Sequence, residues 1–132
     1  MKFEFAVVTP TAIKQSLENL SSLFEMLSNK MQEVPVALQN GKNAEVGESI
    51  KNLADSIDQF CHIAALASLF PEDFDASKVN GLNFQEFIKD FSPILADFEE
   101  GLKNNDTVLI GDLAEYEICP RLQSISKALK NI

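Results

Sequence analysis

Apolar residues recur at Ile13, Leu17, Leu20, Phe24, Leu27, Met31, Val34 and Leu38. Steps of three and four place them on one face of a helix. Thr9 is a favourable N-cap and Pro10 suits a first helical turn, so the helix is predicted to begin there. Pro35 falls inside the stripe and predicts a kink or a break just before it. Asn40-Gly41 ends the segment, since either residue adopts the left-handed C-cap conformation.

A second helix is predicted from about Asn43 to Phe70. Val46, Ile50, Leu53, Ile57, Phe60 or Cys61, Ala64 and Ser68 share one face. Asp55, Asp58 and Gln59 keep the first half amphipathic. From Phe60 to Phe70 only His62 and Ser68 are polar, and Ile63, Leu66, Leu69 and Phe70 point away from the core-facing stripe. A helix that is apolar all round must be covered all round. Those four residues are therefore the expected interface, covered by the N-terminal segment, the Phe74 loop or another subunit.

Pro71 is expected to stop the second helix, and Asn80-Gly81 marks a turn in the polar linker that follows. Asn83 with Glu86 three residues on resembles a capping box and opens a third helix. Its stripe is Phe84, Phe87, Phe91, Ile94 or Leu95, Phe98 and Leu102, with a mild bend expected at Pro93. Asp106 caps a fourth helix carrying Leu109, Ile110, Leu113, Tyr116, Leu122, Ile125 and Leu129, where Pro120 predicts a kink or break. Before all of these, Phe3, Phe5 and Val7 alternate with Lys2, Glu4 and Ala6, the period of a short extended segment.

The expected fold is thus all-α: a single domain over residues 1–132 forming one four-helix up-down bundle, made of two antiparallel hairpins, with an extended N-terminal segment. A faint repeat accords with two hairpins. An offset of 64 residues places Leu27 on Phe91, Met31 on Leu95, Val34 on Phe98 and Leu38 on Leu102. It also places Asn40 on Asn104, Val46 on Ile110, Gly47 on Gly111 and Glu48 on Asp112. Two amphipathic hairpins of equal length produce the same pattern without a duplication. Gly47 and Gly111 fall early in helices, where close backbone approach would compensate their low helix propensity.

Composition narrows the function classes. Acids outnumber bases 20 to 11 and the net charge is −9, which opposes binding to nucleic-acid backbones and anionic membranes. No apolar run is long enough for a transmembrane helix, and the N-terminal run is interrupted by Glu4, so a cytoplasmic location is expected. The two cysteines, Cys61 and Cys119, form no disulfide framework and are expected as free thiols.

Candidate chemistry is sparse. Asp75 to Glu86 has the outline of a calcium loop, with Asp75, Ser77, Leu82 and Glu86 at ligand or hydrophobic positions. Val79 stands where an oxygen ligand belongs, and Asn80 where a glycine belongs, so an ordinary linker with a helix cap is the expectation and weak calcium binding the alternative. His62 is the sole histidine, without the Glu-x-x-His pairs of a di-iron bundle, and Asp58 shares its face. Asp112, Glu115 and Glu117 cluster about Tyr116, in the manner of a solvated acidic face. No catalytic residue, cofactor or metal site is assigned. His62, Glu115 and Tyr116 are the polar candidates for a pocket between helices.

The stretch Asp106-x-Val108-Leu109-Ile110-x-Asp112-Leu113-x-Glu115-Tyr116-Glu117-x-x-Pro120-x-Leu122 resembles a segment of small uncharacterised bacterial helical proteins. The resemblance implies a bacterial source and a helical fold, and no activity. In fold and size alone the chain is also similar to bacterial export chaperones. The leading expectation is a protein-interaction module, adaptor or chaperone-like, with a protein partner or a second copy. A small-molecule binder or enzyme with an interhelical pocket is the alternative.

Overall fold

The computed structural model describes residues 9–74 and 81–130. The expected extended segment at Phe3–Val7 and the calcium-loop positions Asp75–Asn80 lie outside them. The chain is all-α. Its elements are α1 (Pro10–Gln39), α2 (Asn43–Ala67), a single turn α3 (Pro71–Phe74), α4 (Phe84–Lys103), and then a last rod built from α5 (Thr107–Asp112), a π-helical turn (Leu113–Ile118) and α6 (Cys119–Lys130).

Caps set the boundaries. Thr9 Oγ1 accepts from the Ala12 N–H at 3.1 Å, with Pro10 in the first turn. Asn83 and Glu86 form a reciprocal box: Asn83 Oδ1 accepts from the Glu86 N–H at 2.9 Å, and Glu86 Oε1 from the Asn83 N–H at 3.1 Å. Asp106 Oδ1 accepts from the Leu109 N–H at 3.1 Å. Each satisfies donors that a helix start leaves unpaired.

The two inter-helix turns are alike bond for bond. After α1, Gly41 takes φ 73°, its N–H donates to Leu38 O at 3.1 Å and the Lys42 N–H to Ala37 O at 2.9 Å. After α4, Asn105 takes φ 53°, its N–H donates to Leu102 O at 3.2 Å and the Asp106 N–H to Gly101 O at 2.9 Å. This is the Schellman pattern, closing a helix through one left-handed residue. The matched positions differ by the same offset of 64 that the sequence pattern carries.

The second helix is shorter than expected, and the prolines are accommodated in different ways. Helix 2 ends at Ala67, and Pro71 opens a separate turn rather than merely stopping a helix. Pro35 lies within an unbroken α1. At Pro120 the rod also continues, because the turn before it widens. A proline ring collides with the carbonyl four residues back and offers no N–H. Here the Cys119 N–H donates to Ala114 O, five residues back, which adds one residue to that turn. Arg121 Nη1 reaches the Glu117 carbonyl at 3.0 Å.

Nor are the helices a clean set of four. The α2–α4 linker carries the extra turn, the last rod is divided, and the packing is uneven. α1 packs along both α2 and the last rod, and α4 packs along the last rod. Phe24 meets Phe60 edge-on at 6.0 Å, joining α1 to α2. Ser21 faces Ser126, while the Cβ position of Gly111 lies 3.6 Å from Pro35, so α1 and the last rod run antiparallel. Gly111 thus makes the close approach expected of it, whereas nothing lies within 4 Å of the Cβ position of Gly47. Phe24, Leu27, Met31, Phe91, Ile118 and Leu122 are fully enclosed between the rods.

The junction of α1 with α6 is polar at its centre. Ser21 Oγ donates to the Ser126 carbonyl at 2.7 Å, and Ser126 Oγ donates to the Ser21 carbonyl at 2.8 Å. Both serines are buried, and their small side chains let the two backbones approach closely. The Ser126→Ala variant is expected to lose about 1 kcal/mol, one buried hydrogen bond, in urea unfolding. Ser126→Leu is expected to lose about 2–3 kcal/mol, because it wedges the helices apart. Equal losses for the two variants would show that close approach matters little.

Candidate functional site

The remaining side of the molecule lies between α2 and α4. There Phe60 and Phe84 meet edge-on with ring centroids 5.1 Å apart. Beside this contact a groove of about 510 Å3 opens toward the linker end. From α2 it is lined by Cys61, Ala64, Ala65 and Ser68, at spacings of three and four that form one helical stripe. From α4 come Phe84, Gln85 and Ile88, and Phe74 of α3 closes one end. The α2 wall is made of small residues, so the groove owes its depth to side chains that stop short.

The polar groups on its walls are largely engaged. Ser68 Oγ donates to the Ala65 carbonyl at 2.6 Å, and Asn83 is held in the capping box. Glu86, the closing residue of the calcium-loop pattern, is held in that same box. Cys61 is exposed as a residue and Cys119 is buried; both thiols are free. Partial burial of its sulfur, and then the Asp58 carboxylate, push the Cys61 thiol above its ordinary range. Burial pushes Cys119 up as well, with a Gln32 hydrogen bond pulling it down and Glu115 adding a smaller upward push.

The residues singled out from sequence fall in different places. Leu69 is 66% exposed. Ile63, Leu66 and Phe70 are half-buried and pack against the core, with Ile63 beside Leu20 and Leu23 of α1. His62 is exposed on α2. Glu115 and Tyr116 sit on the π turn, Glu115 beside a separate hollow that also touches Pro35 and Val108. None of these three lines the α2–α4 groove, and they do not converge. Cys61 and Ser68 are on the groove rather than on the core-facing stripe.

The groove residues were missed because each is small or belongs to another role. Ala64 and Ser68 read as part of the core-facing stripe, Ala65 carries no signal of its own, and Phe84 reads as core. The available signal was the shortage of large side chains on one stripe of α2, facing a phenylalanine-rich α4.

Among the described residues no three of His, Cys, Asp or Glu gather as metal ligands, and no helix is long and apolar enough to cross a membrane. Comparison with known proteins places the site within a family match. The model described as "Domain of unknown function (DUF8042)" matches residues 15–128. An uncharacterized protein of Treponema pallidum (strain Nichols) is 22% identical over 117 residues, 89% of this chain. The chain spans 58% of that relative's length. No solved structure matches.

The thiol geometry gives a direct check. In the folded protein iodoacetamide is expected to alkylate Cys61 alone, with Cys119 reacting only in denaturant. Asp58→Asn removes a charge that disfavours the thiolate, so the alkylation midpoint is expected to shift to lower pH. Simultaneous labelling of both thiols in the folded state would contradict the placement of Cys119.

Proposed function

We propose, for a chain that belongs to this family of unknown-function domains, that it is a protein-interaction module whose α2–α4 groove receives an apolar segment of a partner. The architecture that supports this is the two-hairpin bundle inferred from the sequence pattern, with one of its sides left open. The single observation that carries the proposal is an apolar groove walled by Ala64, Ala65, Phe84 and Ile88. Apolar grooves of this kind take amphipathic segments through spaced side chains.

A small-molecule pocket is the competing reading, and its support is size, since ligand sites run to roughly 300–1,000 Å3. Such sites need a few free polar groups to orient a ligand. Here Ser68 and Asn83 are bonded within their own helix ends. A surface that offers shape and apolar area, with Ser68 and Asn83 engaged and Gln85 as its one uncharged amide outside a cap, suits a protein segment better than a small polar molecule. The calcium alternative has less support still, because Glu86 already serves the cap.

A photo-reactive side chain placed at Ala65 tests the proposal in the native host. It is expected to give one discrete adduct with another protein, absent when the same group replaces Glu48, which is exposed on the first half of α2. Identical adduct patterns from the two positions would overturn it.

A further inference from the structure

The groove has a counterpart elsewhere in the molecule. The two hairpins share their turns bond for bond at an offset of 64: Gly41 matches Asn105 and Lys42 matches Asp106. The same offset places Leu20 on Phe84, Leu27 on Phe91 and Val34 on Phe98, all buried. It places Val46 on Ile110, buried alike. Past the π turn, which adds one residue, the buried positions agree at an offset of 65: Leu53 with Ile118, Ile57 with Leu122 and Phe60 with Ile125. The molecule is therefore built on two equivalent hairpins, with α4 in the role of α1 and α2 in the role of the last rod.

Under that equivalence, the closed α1–α6 junction maps onto the α4–α2 side. Ser21 maps onto Gln85 and Ser126 onto Cys61. The serine pair lets two backbones share hydrogen bonds. Gln85 is too long to do so, and Gln85 and Cys61 both line the groove. The groove is thus the junction that failed to close. Its surroundings are acidic. Asp58 continues the α2 stripe one turn before Cys61 and acts electrostatically on its thiol. Glu72 and Asp73 are exposed on α3 beside Phe74, and Glu86 is exposed at the start of α4. Lys89 is the base nearest along that helix.

We infer that the groove takes a basic amphipathic segment of a partner protein, its apolar side chains seated between Ala64, Ala65 and Ile88 and its Lys or Arg residues meeting Asp58, Glu72, Asp73 and Glu86. This rests on the docking proposal and adds the partner's chemistry. Charge complementarity at the rim selects the partner and sets the register, while the apolar floor supplies contact.

The test uses the full chain with two labelled synthetic peptides, an amphipathic Leu/Lys helix and its Leu/Glu counterpart, in fluorescence anisotropy. The Leu/Lys peptide is expected to bind about tenfold or more tightly than the Leu/Glu peptide, and less tightly as salt rises. Ala65→Trp, a neutral plug at an exposed lining position, is expected to abolish binding. Val108→Trp, on the last rod away from the groove, is expected to leave it unchanged. Circular dichroism confirms that both variants fold. Equal affinity for both peptides, lost in Ala65→Trp, would overturn the basic-partner inference and leave groove docking intact. Binding that survives Ala65→Trp, or no binding of either peptide, would overturn both. A dimer in sedimentation that Ala65→Trp dissociates would mean that a second copy fills the groove, which also overturns the inference.

Discussion

The mutual hydrogen bonds of Ser21 and Ser126 organise this molecule. Hydroxyls that donate to carbonyls on the opposite helix demand a backbone separation that only small residues permit. Once α1 and the last rod are held that closely, their apolar stripes face one another, and each carries a second helix on its flank. α2 and α4 flank this central pair and meet through the Phe60–Phe84 edge contact, with no reciprocal hydrogen bonds between them among the described residues. The openness of the α2–α4 side follows from the same packing physics that closes the α1–α6 side.

Under the inferred equivalence of the hairpins, the two sides differ at matched positions, Ser21 against Gln85 and Ser126 against Cys61. The α2 wall of the open side is made of small residues as well, Cys61, Ala64, Ala65 and Ser68, and Gln85 of α4 stands where the offset of 64 puts Ser21 on the closed side. An open side in a small helical protein exposes apolar surface, and such surface ordinarily carries binding. Under the proposed docking, the acidic surroundings would bear on which partner is admitted, since like charge at a rim excludes as effectively as opposite charge attracts.

Much of the secondary structure was legible because it rests on local chemistry. Thr9-Pro10, Asn83 with Glu86, and Asp106 announce helix starts through side chains that reach only three residues, and a window of sequence contains both partners. The turn at Gly41 was legible for the same reason. Pro120 announced an irregularity, but not its form, because the collision is relieved by a π turn in the residues before it, which have no distinguishing composition. Pro35 sits in the last part of α1, against Gly111 of the last rod, a contact that a local window of sequence does not hold. The serine pair was invisible because its members stand 105 residues apart, and periodicity says nothing about which faces meet. The site was the least legible part. Large apolar residues late in α2 drew attention, yet most of them belong to the core's margin, and the groove is written in alanines.

Amide hydrogen exchange of the intact protein, with and without a bound Leu/Lys amphipathic peptide, tests the central claim most directly. Protection is expected to rise along Cys61–Ser68 and Asn83–Ile88, and to stay unchanged around Ser21 and Ser126, where the junction is already closed. Protection that rises instead on the last rod about Val108 and Tyr116, or that is spread evenly over the chain, would contradict the account.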